Sequence, residues 1–557
     1  MIPEPRILIV GLDGATFDVL DRLRTQVHCP TLEQLIDEGA RGILDSTRPI
    51  ATLPAWTSFL TTASPAQHGI ADIFLRLPQS NRIEPASGIH RGGSTWLYDL
   101  ASAGYQVGAF GFPGTYPAEC HPNLIQISGF DTPDAQARGR GVSPTKLQSH
   151  IESLGGWHFS ILPEDRKGGL DPDTCADALI KDLGIKTRII EDLQASKPLN
   201  ILAWHIQPSD TIAHHGWASW DRDSPRAISY QETDAFQRVF QAIDRSVERV
   251  MQSYGPTHVM IVSDHGFGGA GRDVFYLNRF LAQEGYLHLP ESKSHKALLK
   301  RGFFELGNQF RAHFPKASKR ALGLLAGVLH PKIFAGLRGQ DLNLEGALAF
   351  SDELDYAPSI WLNRKSSFTH GHLSDAEADS MVDELATKLR AIRLPHHPVP
   401  LFKDVWCRPT NKPFSNRIPD IVLEPNFING YRPSFLSSNG SGPTYRELEP
   451  SELRAGRGYG MPGVHHADGV LVLWGQSWPN VDLPKLNIAD AGALILGLLG
   501  HPIPSWSDWE APQELKDWKC WPARESAPPD SFEHRDDIEH RMPPEVWARL
   551  KQWGYVN

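Results

Sequence analysis

The sequence predicts an α/β fold built on a mostly parallel central sheet flanked by helices, and three features carry that expectation. Short apolar runs recur without alternation, as strands buried on both faces do. Amphipathic segments with apolar residues at steps of three and four separate several of them. Several runs end directly in Asp, His or Gly, at the strand ends where sheets of this kind bind ligands.

In chain order, "RILIVGL" (6–12) reads as a buried strand and "PTLEQLIDEGARG" (30–42) as a helix with Pro near its start and Gly39 at its end. "PIATLPAWTSFLTT" (49–62) runs from an extended segment into a helix start, with Trp56, Phe59 and Leu60 at helical spacing. Pro54 suits the first turn, where a missing N–H costs nothing. "QVGAFGF" (106–112) and "NILAWHI" (200–206) read as further core strands. A long helix follows, marked by Phe236, Val239, Phe240, Ile243, Val247 and Val250. "THVMIVS" (257–263) and "GVLVLWG" (469–475) complete the set of buried strands.

The chain of 557 residues exceeds one ordinary domain. Residues 1–279 read as the first part of a core, 280–420 as an inserted cap of different character, 421–510 as the last part of the core, and 511–557 as a tail with a short helix. The insertion opens with a basic amphipathic stretch (293–320), which reads as a solvated helical face ahead of a membrane or polyanion surface. No apolar run is long enough to span a bilayer. The N-terminus carries no secretory signature, so a cytoplasmic location is expected. Cys29, Cys120, Cys175, Cys407 and Cys520 are odd in number and form no CxxC pair. That argues for thiols in a reducing compartment, and against a disulfide scaffold or a thiolate metal site. A net charge of −10 gives no global reason to expect a nucleic-acid partner.

The chemistry lies in where acids and imidazoles fall. Asp13 directly follows the first strand, and Asp264 and His265 follow another in "IVSDHGFGG". Asp210 and His214 follow a third at i and i+4, one face of a helical turn. His465 and His466 precede the last strand. Taken singly, an Asp after a strand is ordinarily a cap or turn residue and a His a satisfied polar group. Taken together, so many carboxylates buried near one another are costly without a cation. Mixed Asp/His ligation without cysteine suits Zn²⁺ or Mn²⁺. Two such ions about 4 Å apart clamp the attacking and leaving oxygens of a displacement at phosphorus. Thr52 alone reads as an N-cap. Beside two dications it reads as a nucleophile, because a bound dication lowers the pKa of an alcohol.

The ordered blocks "GLDGATFDVL", "STRPIATLPAWTSFLTTASPAQHGI", "QISGFDTPD", "PSDTIAHH", "IVSDHGFGG", "VFYLNRFLAQEGYL", "IPDIVLEP" and "GVHHADGVLVLWG" cover most of the chain. With the closing "ARLKQWGYVN", they resemble the alkaline phosphatase superfamily, in its type I phosphodiesterase/nucleotide pyrophosphatase branch. The resemblance implies an alkaline-phosphatase-like core and a two-metal phosphohydrolase working through a phospho-threonine intermediate. It implies one metal site of Asp13, Thr52, Asp264 and His265, and a second of Asp210, His214 and His465. His215 and His466 are neighbours that the family spacing passes over. It also implies a small phosphate ester or diester as substrate, and an insertion that shapes the leaving-group pocket. Trp56 and Trp217 are candidates to flank an aromatic leaving group, with core packing the equal alternative. Arg48 and Arg272 are candidates to meet extra phosphate charge.

One departure stands out. The nucleotide-cleaving members carry an Asn where this chain has Ile73, in "HGIADIF", so their substrate preference does not transfer. Sulfatase relatives use Cys or Ser and the related phosphoglycerate mutases use Ser, so Thr52 leans towards the diesterase side. A phosphomutase or phosphomonoesterase is the alternative.

Overall fold

The computed structural model describes residues 5–289 and 346–509, except 80–82, 133–139, 160–161, 163–169, 355, 439, 454–460, 476–477, 479–482 and 508. The basic stretch 293–320 and the tail from 511 lie outside the described residues.

A nine-stranded sheet forms the centre, in the order Leu486–Asn487, Ala40–Asp45, Asp468–Trp474, His258–Val262, Ile7–Leu12, Ile201–Ile206, Val107–Phe110, Leu124–Ile127 and Val142–Ser143. Ile7–Leu12 pairs in parallel with both neighbours, and the parallel run continues to Leu124–Ile127. Asp468–Trp474 is antiparallel to both of its neighbours. Its apolar run reveals burial, but a run of this kind carries no direction.

Two-sided burial explains those runs. Along Ile7–Leu12, Leu8, Val10 and Leu12 enter one apolar cluster while Ile7 and Ile9 enter the other. Each such side chain contributes roughly 1.5–3 kcal/mol when fully buried. The helices Pro172–Ser196 and Ala235–Tyr254 pack together and supply residues to the first cluster. Thr52–Thr61 and Ile488–Leu498 pack together in the second.

The helix within 30–42 spans Pro30–Glu38, and the chain enters Ala40–Asp45 at once, a strand the sequence reading passed over. Gly39 allows that tight exit: a Cβ there would lie 2.6 Å from the Leu35 carbonyl oxygen and 2.8 Å from Val472.

A second sheet centres on Gly266–Phe275, flanked by Tyr431–Phe435, Tyr445–Glu447 and Gly463–His466. Its register sets Phe267 opposite His465, which carries a residue late in the chain to the end of the central sheet. Ala349–Phe350, Ser359–Leu362 and Phe402–Cys407, all within 280–420, form an antiparallel sheet with Ile421–Pro425. The helix Asp375–Ala391 packs on it, opened by a Ser374/Glu377 capping box, and the apolar cluster here also takes in Phe275, Leu277 and Phe435. Among the described residues no helix is long and apolar enough to cross a membrane.

Candidate active site

Three adjacent parallel strands end at one edge of the central sheet, and each delivers part of the site. Asp13 follows Ile7–Leu12, Asp264 and His265 follow His258–Val262, and the helix Pro208–Trp220 begins just past Ile201–Ile206. That helix carries Asp210 and His214, one turn apart. His465 arrives from Gly463–His466, and Thr52 is the first residue of its helix. Ala51 occupies the N-cap position with no side-chain cap, so the Thr52 hydroxyl is not the cap.

The groups converge. His265 Nε2 lies 3.2 Å from Thr52 Oγ1, 3.2 Å from Asp264 Oδ2 and 3.7 Å from Asp13 Oδ1. His465 Nε2 lies 3.5 Å from Asp210 Oδ1 and 3.1 Å from His214 Nε2. The His265 and His465 rings stack with centroids 3.8 Å apart. Two sets, Asp13/Asp264/His265 and Asp210/His265/His465, each bring their donor atoms within 4.8 Å of one another. His214 stands 3.5 Å from Asp210 Oδ1 and joins the second set through its contact with His465.

Two imidazoles are oriented from behind. His214 Nδ1–H donates to the Gly463 carbonyl at 3.1 Å, and His265 Nδ1–H to the Gly266 carbonyl at 3.0 Å. Each bond fixes the tautomer with a lone pair on Nε2, the nitrogen that faces the cluster. The Thr52 hydroxyl therefore donates to His265 Nε2.

Burial governs the charges. Desolvation, followed by the neighbouring Asp264 and Asp210, raises Asp13 well above the carboxylate range. Asp264 is also raised well above it, and Asp210 is raised, chiefly by desolvation. His205, His214, His265 and His465 are pushed down to about 3, again by burial first. The imidazoles are thus neutral near pH 7. The carboxylates resist ionisation unless positive charge arrives.

His205 is the site residue that sequence reasoning missed. Its Nε2–H donates to Asp13 Oδ2 at 2.8 Å from inside the strand Ile201–Ile206. The signal was a lone imidazole in an otherwise apolar strand. Ser209 Oγ–H donates to the Asp13 carbonyl at 2.6 Å, and Gly14 N–H donates to Asp264 Oδ1 at 3.1 Å.

Gly14 adopts φ +65°, and a Cβ there would sit 3.0 Å from Phe267 and 3.2 Å from the Asp210 Cβ. Gly14→Ala is expected to lower the free energy of unfolding by about 1–2 kcal/mol. Urea unfolding checks it, and an unchanged midpoint contradicts it.

Other candidates sit elsewhere. Trp56 is fully buried between Phe59, Phe112 and His205, and Trp217 packs against Trp220, Phe236 and Phe267. Both rings are buried, and Trp56 packs directly on His205 behind the Asp13 carboxylate. Arg48 pairs with Glu424 at 2.7 Å, whereas the Arg272 Nε–H donates to the Leu448 carbonyl, at the edge of the second sheet. His466 accepts the Asp468 N–H on Nδ1. Ile73 is buried, and the neighbouring Asp72 carboxylate accepts the Tyr356 hydroxyl at 2.7 Å. A small cleft has His465 in its wall, and its other lining residues include Tyr356, Lys403, Glu424 and Arg432.

A helix-borne hydroxyl thus stands beside clustered acids and imidazoles at the carboxyl ends of parallel strands. The model of the type I phosphodiesterase/nucleotide pyrophosphatase family matches residues 7–428, and the chain belongs to that family of phosphoric ester hydrolases. A search of curated proteins gives no match. Among solved structures, phosphonoacetate hydrolase from Sinorhizobium meliloti 1021, in complex with phosphonoformate, is similar at 15% identity and TM-score 0.51. That likeness covers 88% of this chain and 95% of that one, and bears on the fold alone. Murine ectonucleotide pyrophosphatase/phosphodiesterase 5 is similar at 12% identity over 89% of this chain and 96% of that one. Its TM-score is 0.45.

Proposed function

We propose that the protein hydrolyses a small phosphodiester in two steps, with Thr52 as nucleophile and two divalent ions, Zn²⁺ or Mn²⁺, as cofactors. One observation carries the reading. Asp13 Oδ1, Asp264 Oδ2 and both oxygens of Asp210 are buried and meet no hydrogen-bond donor among the described residues. Orphaned carboxylate oxygens facing neutral imidazole nitrogens are a donor set suited to a dication. Asp13, Thr52, Asp264 and His265 would hold one ion; Asp210, His214 and His465 would hold the other.

Bound there, the ions would supply Lewis-acid stabilisation of the oxygens around phosphorus. The chain's own residues do the rest. The Thr52 hydroxyl, at a helix start whose dipole favours an incoming anion, attacks phosphorus, and its proton passes through solvent to the departing arm. The P–O bond to one ester arm breaks, that arm leaves as an alcohol once protonated, and phospho-Thr52 remains. Water then cleaves the Thr–phosphate bond and restores the hydroxyl, releasing the monoester. His205 holds Asp13 in place throughout. The insertion 280–420 is read as shaping the pocket, because Tyr356 and Lys403 lie in the wall of the cavity that reaches His465.

Metal-reconstituted protein is expected to cleave bis(p-nitrophenyl) phosphate at least about tenfold better than p-nitrophenyl phosphate, as kcat/KM. The opposite preference supports a monoesterase or mutase and sinks the diesterase reading. His205→Ala removes the hydrogen bond that orients Asp13 and is expected to weaken metal affinity by about 10–100-fold. Competition with a fluorescent chelator measures this, and wild-type affinity in the variant rules the role out.

A further inference from the structure

Resting on the metal-centre reading, we infer that two buried hydroxyls, Ser263 and Ser209, are positioning residues: they tie together the backbones of the three strand ends that bear the ligands, and so preset the spacing of the donor atoms.

The need arises from where strand pairing stops. Ile7–Leu12 pairs with His258–Val262 as far as Gly11 and Val262, and with Ile201–Ile206 as far as Leu12 and Ile206. The Asp13 N–H still reaches the Ile206 carbonyl at 3.1 Å, and past it the ladder ends. Asp264, His265 and Asp210 all lie beyond the last paired residues, so regular sheet bonding does not set their distances from Asp13.

Ser263 stands at that gap, directly ahead of Asp264. Its Oγ accepts the Ala15 N–H at 2.8 Å, and its Oγ–H donates to the His265 carbonyl at 2.6 Å. One side chain thus joins the backbone just past Asp13 to the backbone of His265. Ser209, directly ahead of Asp210, does the same on the other side, through its Oγ–H to the Asp13 carbonyl at 2.6 Å. Both serines are fully buried, where water does not compete for these bonds.

Neither hydroxyl caps a helix. Ser263 lies between two strands, and Ser209 lies inside Pro208–Trp220, whose cap position is Gln207. Both bonds run to main-chain groups rather than to ligand atoms. They therefore hold whether the carboxylates are protonated, ionised or bound to an ion. A site ordered in advance loses less entropy on binding, so the two bonds favour tight metal binding.

The test titrates metal-free protein with Zn²⁺ against a fluorescent chelator, and with Co²⁺, whose visible absorption band reports the geometry of its ligands. Ser263→Ala and Ser209→Ala are each expected to weaken Zn²⁺ affinity by about tenfold or more, and to shift the cobalt band or change its intensity. Ser128→Ala is the control. Its hydroxyl is also buried and donates to the Thr115 carbonyl at 2.9 Å, but it follows Leu124–Ile127, two strands beyond Ile201–Ile206. That variant is expected to keep the wild-type affinity and band, whatever it loses in stability. If Ser263→Ala fails to fold, Ser209→Ala decides alone. Wild-type affinity and band in either folded serine variant, or an equal loss in Ser128→Ala, overturns the inference. Failure of the wild-type protein to bind Co²⁺ overturns the metal centre and this inference with it, so the two failures are told apart.

Discussion

Thr52→Ala is expected to lower turnover of bis(p-nitrophenyl) phosphate by about 10³-fold or more, since removing an activated nucleophile leaves only the catalysis that binding and charge stabilisation provide. The fold is expected to survive. Thr52 is the first residue of its helix, Ala51 holds the cap position, and no side-chain cap is lost. Alanine is the best helix former, and the small void left in this fully buried spot costs roughly 1 kcal/mol. Thr52→Ser keeps the hydroxyl beside His265 Nε2 and is expected to retain a substantial fraction of the rate. The measurements are steady-state rates beside thermal unfolding of all three proteins. A Thr52→Ala protein of normal stability that keeps a tenth of the wild-type rate would show that another group attacks phosphorus.

Chelation is expected to be equally severe, and its effect on stability depends on pH with a definite sign. Asp13, Asp210 and Asp264 have folded pKa values above the ordinary carboxylate value. In metal-free protein their contribution to stability is fully present below that ordinary value and is lost as pH rises through the raised folded values. The site histidines lie at about 3 when folded, so protons compete with an ion for their nitrogens only at strongly acidic pH. An incoming dication displaces the carboxyl protons, and the metal-induced gain in Tm is therefore larger at pH 8 than at pH 5.5. At a free metal concentration a hundredfold above Kd, the gain is about 2.7 kcal/mol per ion. Scanning fluorimetry of stripped and reloaded protein at the two pH values checks this. Equal Tm with and without metal at pH 8, or full activity after chelation, removes the metal centre.

Much of this arrangement was legible in the chain because burial leaves a plain imprint. The strands at 7–12, 201–206 and 258–262 are apolar on both faces, and an Asp or Asp-His that ends such a run stands out. The one-turn spacing of Asp210 and His214 needed only helical geometry. Other elements left fainter traces. Ala40–Asp45 mixes Arg, Gly and Asp with two buried positions, Gly42 and Leu44, so it does not read as a core strand. The antiparallel sheet of Ala349–Phe350, Ser359–Leu362, Ile421–Pro425 and Phe402–Cys407 has short strands with no long apolar run, and Lys403 on one of them lines the cavity beside His465. His205 was passed over because a polar residue inside an apolar strand has no sequence partner; Asp13 becomes its partner only when two strands pair. Trp56 and Trp217 could be read either way in the sequence, since nearness to site residues along the chain says nothing about which way a ring points.

The site is stitched from distant parts of the chain: Thr52 meets His265 across 213 positions, and His214 meets His465 across 251. Contacts of that span form late, because a large loop must close before any of them is rewarded. The Thr52 hydroxyl and the acids near it therefore come together only when these distant segments have assembled. Partly made chains lack the arrangement, so the emergence of activity during refolding is a clock for completion, and no fragment ending before residue 463 carries a full site.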